Sequence, residues 1–140
     1  MALLDPDDRI LLLRFVDRVR DDAFWVTPGG GLEPGESFAA AAARELAEEV
    51  GLVAPPPPAG PVWTRDVNIH WGEKRFVQHE RYFVVRTAPF EVDAAGRLDY
   101  ERTELVAHRW WTAAEIVRCG ERFAPEDLAV RLPAWATLRR

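Results

Sequence analysis

The chain is 140 residues long, 48% hydrophobic and 29% charged, which suits one domain with a real core and excludes wholesale disorder. A net charge of −5 excludes the broad basic surface that drives nonspecific binding to nucleic acid polymers, so any nucleotide handled here is expected to be small and gripped locally. No apolar run approaches the roughly 20 residues of a membrane span, and the single Cys119 offers neither an internal disulfide nor a metal cluster, so a cytoplasmic chain without membrane contact is expected.

In chain order, "MALLDPDDR" lacks the basic stretch of a signal peptide. "ALLDPDDRILLLRF" predicts two apolar strands around a Pro-Asp-Asp turn. "DRVRDD" is a polar link and "AFWV" a short buried strand. "TPGGGLEPGES" has four glycines and two prolines in eleven residues, and predicts a loop with unusual backbone angles. A helix follows from about Ser37 to Val50, with Ser37 as N-cap, alanines as helix formers and Gly51 placed to end it in a left-handed conformation. "APPPPAGP" is a stiff surface connector. "VWTRDVNIHWGEKRFVQHERYFVVRT" predicts two long strands around "GEK", with Phe76, Tyr82 and Val84 among the apolar positions of the second. "LVAHRWW" predicts the last strand, with Trp110 and Trp111 on opposite faces. "TAAEIVRC", opened by a Thr cap, predicts a helix, and "PEDLAVRLPAWATLRR" one or two more. Helices mixed with long hairpins predict a single α/β layered domain over 1–140 with a mixed sheet.

One stretch resists a purely structural explanation. "RELAEEVGL", residues 44 to 52, gathers Glu45, Glu48 and Glu49 in the last turns of the first helix. Unpaired carbonyls make that end negative, so it favours cations. The three carboxylates also repel one another through i,i+3 and i,i+4 contacts. At about 100° per residue they share an arc of roughly 100°, with Arg44 at its edge. Phe38, Ala42, Leu46 and Val50 form a separate i,i+4 stripe, the expected core face. Such a cluster raises its own pKa values unless a counter-ion is present. A hard divalent cation removes the conflict, because Mg²⁺ takes oxygen ligands and shares them with substrate phosphates.

The preceding loop extends the pattern. From Gly30, five residues lead to Glu36 and seven more to Arg44-Glu45-Leu46-Ala47-Glu48-Glu49-Val50-Gly51-Leu52. This resembles the Nudix box, G-x5-E-x7-R-E-U-x-E-E-x-G-U with U a bulky aliphatic, at every specified position. Seven fixed residue types at that spacing arise by chance about once in 10⁸ windows. "WVTPGG" before the box and Trp-Trp-Thr with its helix at 110 to 118 also look like family features.

The resemblance implies a three-layer α/β/α sandwich, classed α/β or α+β, with a mixed, mainly antiparallel central sheet. It implies hydrolysis of the pyrophosphate linkage of a nucleoside diphosphate joined to X, with Mg²⁺ or Mn²⁺ and water, and a homodimer as a further state. Carried over residue by residue, Glu48 and Glu49 would be core metal ligands, and Glu45 a further ligand or the base acting on water. The Gly29 carbonyl would complete part of the shell. Arg44 would hold a neighbouring carboxylate by ion pairing, while Gly30, Glu36 and Gly51 would shape the box. One further glutamate ligand is expected from outside it, Glu104 with Glu80 as its rival. Arg14 resembles a phosphate-contacting arginine, though a strand-end surface role also fits. Trp71, Tyr82 and Trp63 could stack on a base, although strand aromatics usually belong to the core. His70, His79 and His108 share no metal-ligand spacing. The secondary signatures of the ADP-ribose, dinucleoside polyphosphate, NADH and coenzyme A subgroups are missing. A noncatalytic nucleotide-binding module on the same fold is the alternative.

Overall fold

A computed structural model describes residues 1–17, 21–57, 60–71, 73–93 and 103–138, without the side chains of Trp71, Thr103 and Glu104. Parts of the predicted "DRVRDD" link, the polyproline connector and the "GEK" turn lie outside the described residues.

The opening hairpin forms as its apolar runs require: β1 (Ala2–Leu4) and β2 (Ile10–Asp17) are antiparallel, with Leu4 opposite Ile10. Buried Asp5 ties the turn by accepting from the Asp7 and Arg9 backbone N–H groups and from Arg9 Nε. Strand β3 (Asp22–Val26) pairs antiparallel with β2, but among its residues Trp25 alone is fully buried, so it is a half-buried strand.

Helix α1 (Phe38–Val50) starts at Ser37, whose hydroxyl accepts from Ala40 N, and ends at Gly51 with φ 75°. The Gly51 and Leu52 N–H groups bond the carbonyls of Ala47 and Leu46, so two of the last-turn oxygens are satisfied. Its core stripe is shorter than expected. Ala42, Leu46 and Val50 are buried, while Phe38 is 41% exposed under the Arg81 guanidinium.

The long hairpin, β4 (Trp63–Trp71) with β5 (Lys74–Tyr82), is a sheet of its own and the second strand stops at Tyr82. Val84 instead begins β6 (Val84–Arg86), which joins the main sheet parallel to β1. The outer part of β5 faces solvent, so Phe76 is exposed rather than core. The remaining elements are β7 (Thr103–Trp111), α2 (Ala113–Cys119), β8 (Phe123–Ala124) and α3 (Leu128–Ala136). β8, too short to carry a sequence pattern, follows the expected last strand and pairs parallel with β3.

β2 is the hub of the six-stranded sheet, pairing antiparallel with β1, β3 and β7. Its alternating side chains build two cores. Leu11 and Leu13 pack with Ala42, Leu46 and Val50 of α1; Ile10 and Leu12 pack with Ile116 of α2 and Leu128, Leu132 and Trp135 of α3. The fold is therefore helix, mixed sheet, helix pair: three layers, with the acidic end of α1 at the edge of one outer layer. Trp111 is buried in the α2–α3 core and Trp110 packs against Phe90 on the other face, as alternation predicts.

Candidate active site

The glycine loop folds against α1 through its own glutamate. Glu36 accepts from the Glu33 N–H at 3.0 Å and from Arg44 Nε and Nη2 at 2.8 and 2.9 Å. Gly35, at φ 76°, makes the tight turn between them; Gly29, Gly30 and Gly31 have no positive φ, so the loop needs less unusual geometry than its composition suggests. Gly30 is small for a different reason. A Cβ there would stand 2.3 Å from Glu45 Oε1, so the Glu45 carboxylate lies directly against the loop backbone. Gly51 combines its left-handed φ with close approach, since a Cβ would meet the Asp93 carbonyl oxygen at 2.9 Å.

Arg44 binds the cluster together. Besides the two bonds to Glu36, Nη1 donates to Glu45 at 2.8 Å and to Glu48 at 3.3 Å, and Nη2 donates to the Gly31 carbonyl at 2.8 Å. A guanidinium has five N–H groups, and all five are used. Glu49 stands outside this reach and accepts from the Gly29 N–H at 3.0 Å.

The electrostatics separate the glutamates. The Arg44 guanidinium, helped by the Glu33 N–H, holds Glu36 down to about 2. Burial pushes the Glu45 carboxyl up against the pull of Arg44. Burial also pushes Glu49 up to about 7, only partly opposed by the Gly29 N–H and reinforced by Glu45. The cluster thus remains short of positive charge even with Arg44 in it. Among the described residues, no three acidic, histidine or cysteine side chains stand together as a ready metal cage. The donor set nevertheless suits a hard divalent cation: carboxylate oxygens, crowded and partly desolvated, with a deficit of counter-charge.

Two cavities meet at this cluster. A hollow of about 260 Å³ has Glu45, Glu48 and Glu49 on one side and Leu13, Phe15 and Leu105 on the other. A cleft of about 700 Å³ runs from the glycine loop and Phe38 to the β4–β5 hairpin, where Arg65, Gln78, Glu80 and Arg81 line it. Glu45 borders both.

The remaining expected residues divide. Arg14 does not converge with the cluster. It lies on β2 between Leu13 and Phe15, which line the hollow, and pairs with Glu121 at 3.5 Å. Tyr82 borders the cleft, but its ring is buried between Trp63 and Trp135 and its hydroxyl donates to Glu80, so it offers no free stacking face. Glu80 accepts from Arg65, Gln78 and Tyr82. The backbone of Glu104 pairs opposite Val16, and the Trp71 and Glu104 side chains lie outside the described residues. Sequence reasoning missed Arg65 and the Phe38–Arg81 contact. The first had a signal: alternation places Arg65 on the same face of β4 as Trp63 and Val67, an odd place for an arginine unless it faces a cavity. The second had none, because the 3.6-residue stripe assigns Phe38 to the core.

The chain that builds this loop and helix matches a family model, the NUDIX domain, over residues 1–132. The chain belongs to the NUDIX domain family. Among solved structures it resembles the E. coli ORF135 protein, with 25% identity, TM-score 0.56, and 99% of this chain and 87% of that one covered. A NUDIX hydrolase from Nitrosomonas europaea is similar at 22% identity and TM-score 0.59, with 96% and 86% covered. Among curated proteins, an octanoyltransferase from Myxococcus xanthus is 52% identical over 50 residues, which is 36% of this chain and 13% of that protein. The chain thus matches a small part of that relative's length. Every specified position of the Nudix box is filled in this chain, and the likeness to these solved structures shows the shared fold. No helix among the described residues is long and apolar enough to cross a membrane.

Proposed function

We propose that this chain hydrolyses the pyrophosphate linkage of a small nucleotide, a nucleoside diphosphate joined to X, by attack of water on phosphorus, with Mg²⁺ or Mn²⁺. The observation that carries this is the Arg44-centred cluster at the junction of two cavities, where four glutamates meet one guanidinium and burial raises Glu49 to about 7.

Glu48 and Glu49 would hold the metal, with the Gly29 carbonyl beside them and one further glutamate from outside the box, for which Glu104 remains the candidate. When bound, the cation supplies positive charge to the phosphate oxygens and makes nearby water more acidic. Glu45 is assigned to the attacking water because it borders both cavities beside the two proposed metal ligands. Arg44 is a positioning residue, since it has no N–H left for substrate. Glu36 anchors that arginine, and Gly30 leaves room for the Glu45 carboxylate. Arg14 and Tyr82 receive no part in binding the nucleotide, because one pairs with Glu121 away from the cluster and the other is packed in the core.

Metal binding tests the assignment directly. Titration of Mn²⁺ followed by its electron paramagnetic resonance signal is expected to show binding by the wild type and loss of it in Glu48→Gln/Glu49→Gln. Equal binding by both proteins would take these carboxylates out of the metal role.

A further inference from the structure

The β4–β5 hairpin stands apart from the main sheet. Its two strands pair in unbroken register from Trp63 opposite Tyr82 to Trp71 opposite Lys74. The base is packed, with Trp63 and Tyr82 against Trp135, but Phe76 and Val77 farther out are 47% and 52% exposed. A lone pair of strands is marginal in water and gains stability from further strands. The two outer edges are not alike. β5 lies toward the rest of the chain: Ala2 N donates to Phe83 O just after it, and Gln78 to Phe83 line the cleft with Met1 and the glycine loop. β4 is therefore the outermost strand, and among the described residues nothing pairs with its outer edge. Edges that stay single are usually short, bulged, or guarded by lysine or proline. β6 and β8 are short, and β7 is broken by a register shift against β2. β4 has none of these guards: "WTRDVNIHW" is nine residues long, regular, and without lysine or proline.

That stretch is also complementary to itself. Antiparallel pairing with a second copy, on a two-fold axis through Asn68, sets Val67 opposite the partner's Ile69 and Asp66 opposite the partner's His70. Side chains alternate along a strand, so Val67 and Ile69 share one face, and Asp66, Asn68 and His70 the other. On the first face Phe76 already lies opposite Ile69, so pairing continues an apolar row from Phe76 through Ile69 to the partner's Val67. On the second, Asp66 stands 2.6 Å from His79 and is 63% exposed, so its carboxylate is accessible to the partner's His70, beside which lies the partner's Arg75. The two Asn68 amides meet at the axis. Moving the axis by one residue breaks both the Val–Ile and the Asp–His match, so the sequence selects one register. We propose that a second copy of this chain docks on β4 in that register, giving a four-stranded β5–β4–β4–β5 sheet. The contact is isologous and closes at two copies, leaving no β4 edge free. It also steadies the hairpin that carries Arg65, Gln78 and Glu80 on the far wall of the cleft. It uses no residue of the glutamate cluster, so it stands or falls apart from the pyrophosphohydrolase reading.

Sedimentation equilibrium of the full chain, without nucleotide or metal, is expected to give twice the chain mass at micromolar concentration. Asn68→Lys sets two like charges face to face on the axis and is expected to raise the dimer dissociation constant by at least about 10-fold, with native circular dichroism. If that variant fails to fold, His70→Asp, which opposes two carboxylates, takes its place. Disulfide trapping in a Cys119→Ser background reads the register. Directly opposed residues of an antiparallel pair have Cα atoms about 4.5–5.5 Å apart, within disulfide reach. Asn68→Cys is therefore expected to give a covalent dimer under mild oxidation. Asp66→Cys, about 13 Å from its counterpart along the strand, is expected to give none. A wild type that stays monomeric at hundreds of micromolar would overturn the proposal. So would a dimer that the folded charge variant leaves intact, or one in which Asn68→Cys is trapped no better than Asp66→Cys.

Discussion

The five N–H groups of Arg44 reach two oxygens of Glu36, one each of Glu45 and Glu48, and the Gly31 carbonyl, so a lysine there, with three donors and no planar fork, must give up at least two of them. Because Arg44 acts by orienting ligands, Arg44→Lys is expected to cost about 10–100-fold in metal affinity or kcat while the chain stays folded, measured by Mn²⁺ titration beside circular dichroism. Gly30→Ala probes the same geometry from the loop. Its Cβ meets a mobile carboxylate end rather than backbone, so stability should hold while the displaced Glu45 lowers kcat by about 10-fold or more. Glu49 gives a pH signature. Its carboxyl sits near 7 in the folded chain against an ordinary 4.5, so the folded state holds that proton more tightly than the unfolded one. Metal-free stability should therefore fall as pH rises from about 4.5 to about 7 and then level off, by up to about 3 kcal/mol. Glu36 works the other way, its contribution being full above about 4.5 and lost as pH falls toward 2. Thermal melts of wild type and Glu49→Gln across this range isolate the Glu49 part; parallel pH profiles would remove its buried charge from the account.

Elements were legible where local chemistry decides them. Ser37 and Gly51 mark the ends of α1 because each meets a backbone demand that few other residues satisfy. Thr112 does the same for α2, accepting from the Glu115 N–H while Glu115 accepts from the Thr112 N–H. Thr112→Ala is expected to lower stability by about 1 kcal/mol in chemical denaturation without touching the metal site. Legibility ended where tertiary contacts decide. Tyr82 and Val84 share an alternating pattern, yet Tyr82 packs on Trp63 and Trp135 while Val84 pairs with Ala2, so one predicted strand serves two sheets. Phe38 follows the apolar stripe of α1 but lies under Arg81 beside a cleft that no local pattern announces. Arg14 ends an apolar run in a way that suggested phosphate contact, and only the position of Glu121, far along the chain, shows its partner.

At the scale of the whole molecule, the three layers place the acidic end of α1 between the sheet and the glycine loop, while the β4–β5 hairpin supplies the far wall of the cleft. The box residues could be read in advance because their spacing along one loop and one helix already sets their relative positions. The cleft could not, since its wall combines Arg65 and Gln78 with a loop more than thirty positions earlier, brought together by sheet pairing and packing. The central claim is that the glutamates gathered at the end of α1 act through metal on a pyrophosphate bond. It is tested most directly by hydrolysis of nucleoside triphosphates, nucleotide sugars, ADP-ribose and dinucleoside polyphosphates with Mg²⁺ or Mn²⁺, with Glu48→Gln beside the wild type. The expected result is turnover of at least one substrate that stops in EDTA and falls by at least about 100-fold in the variant, since losing a ligand should cost more than losing a residue that orients one. Tight nucleotide binding without turnover, or equal turnover by both proteins, would contradict it.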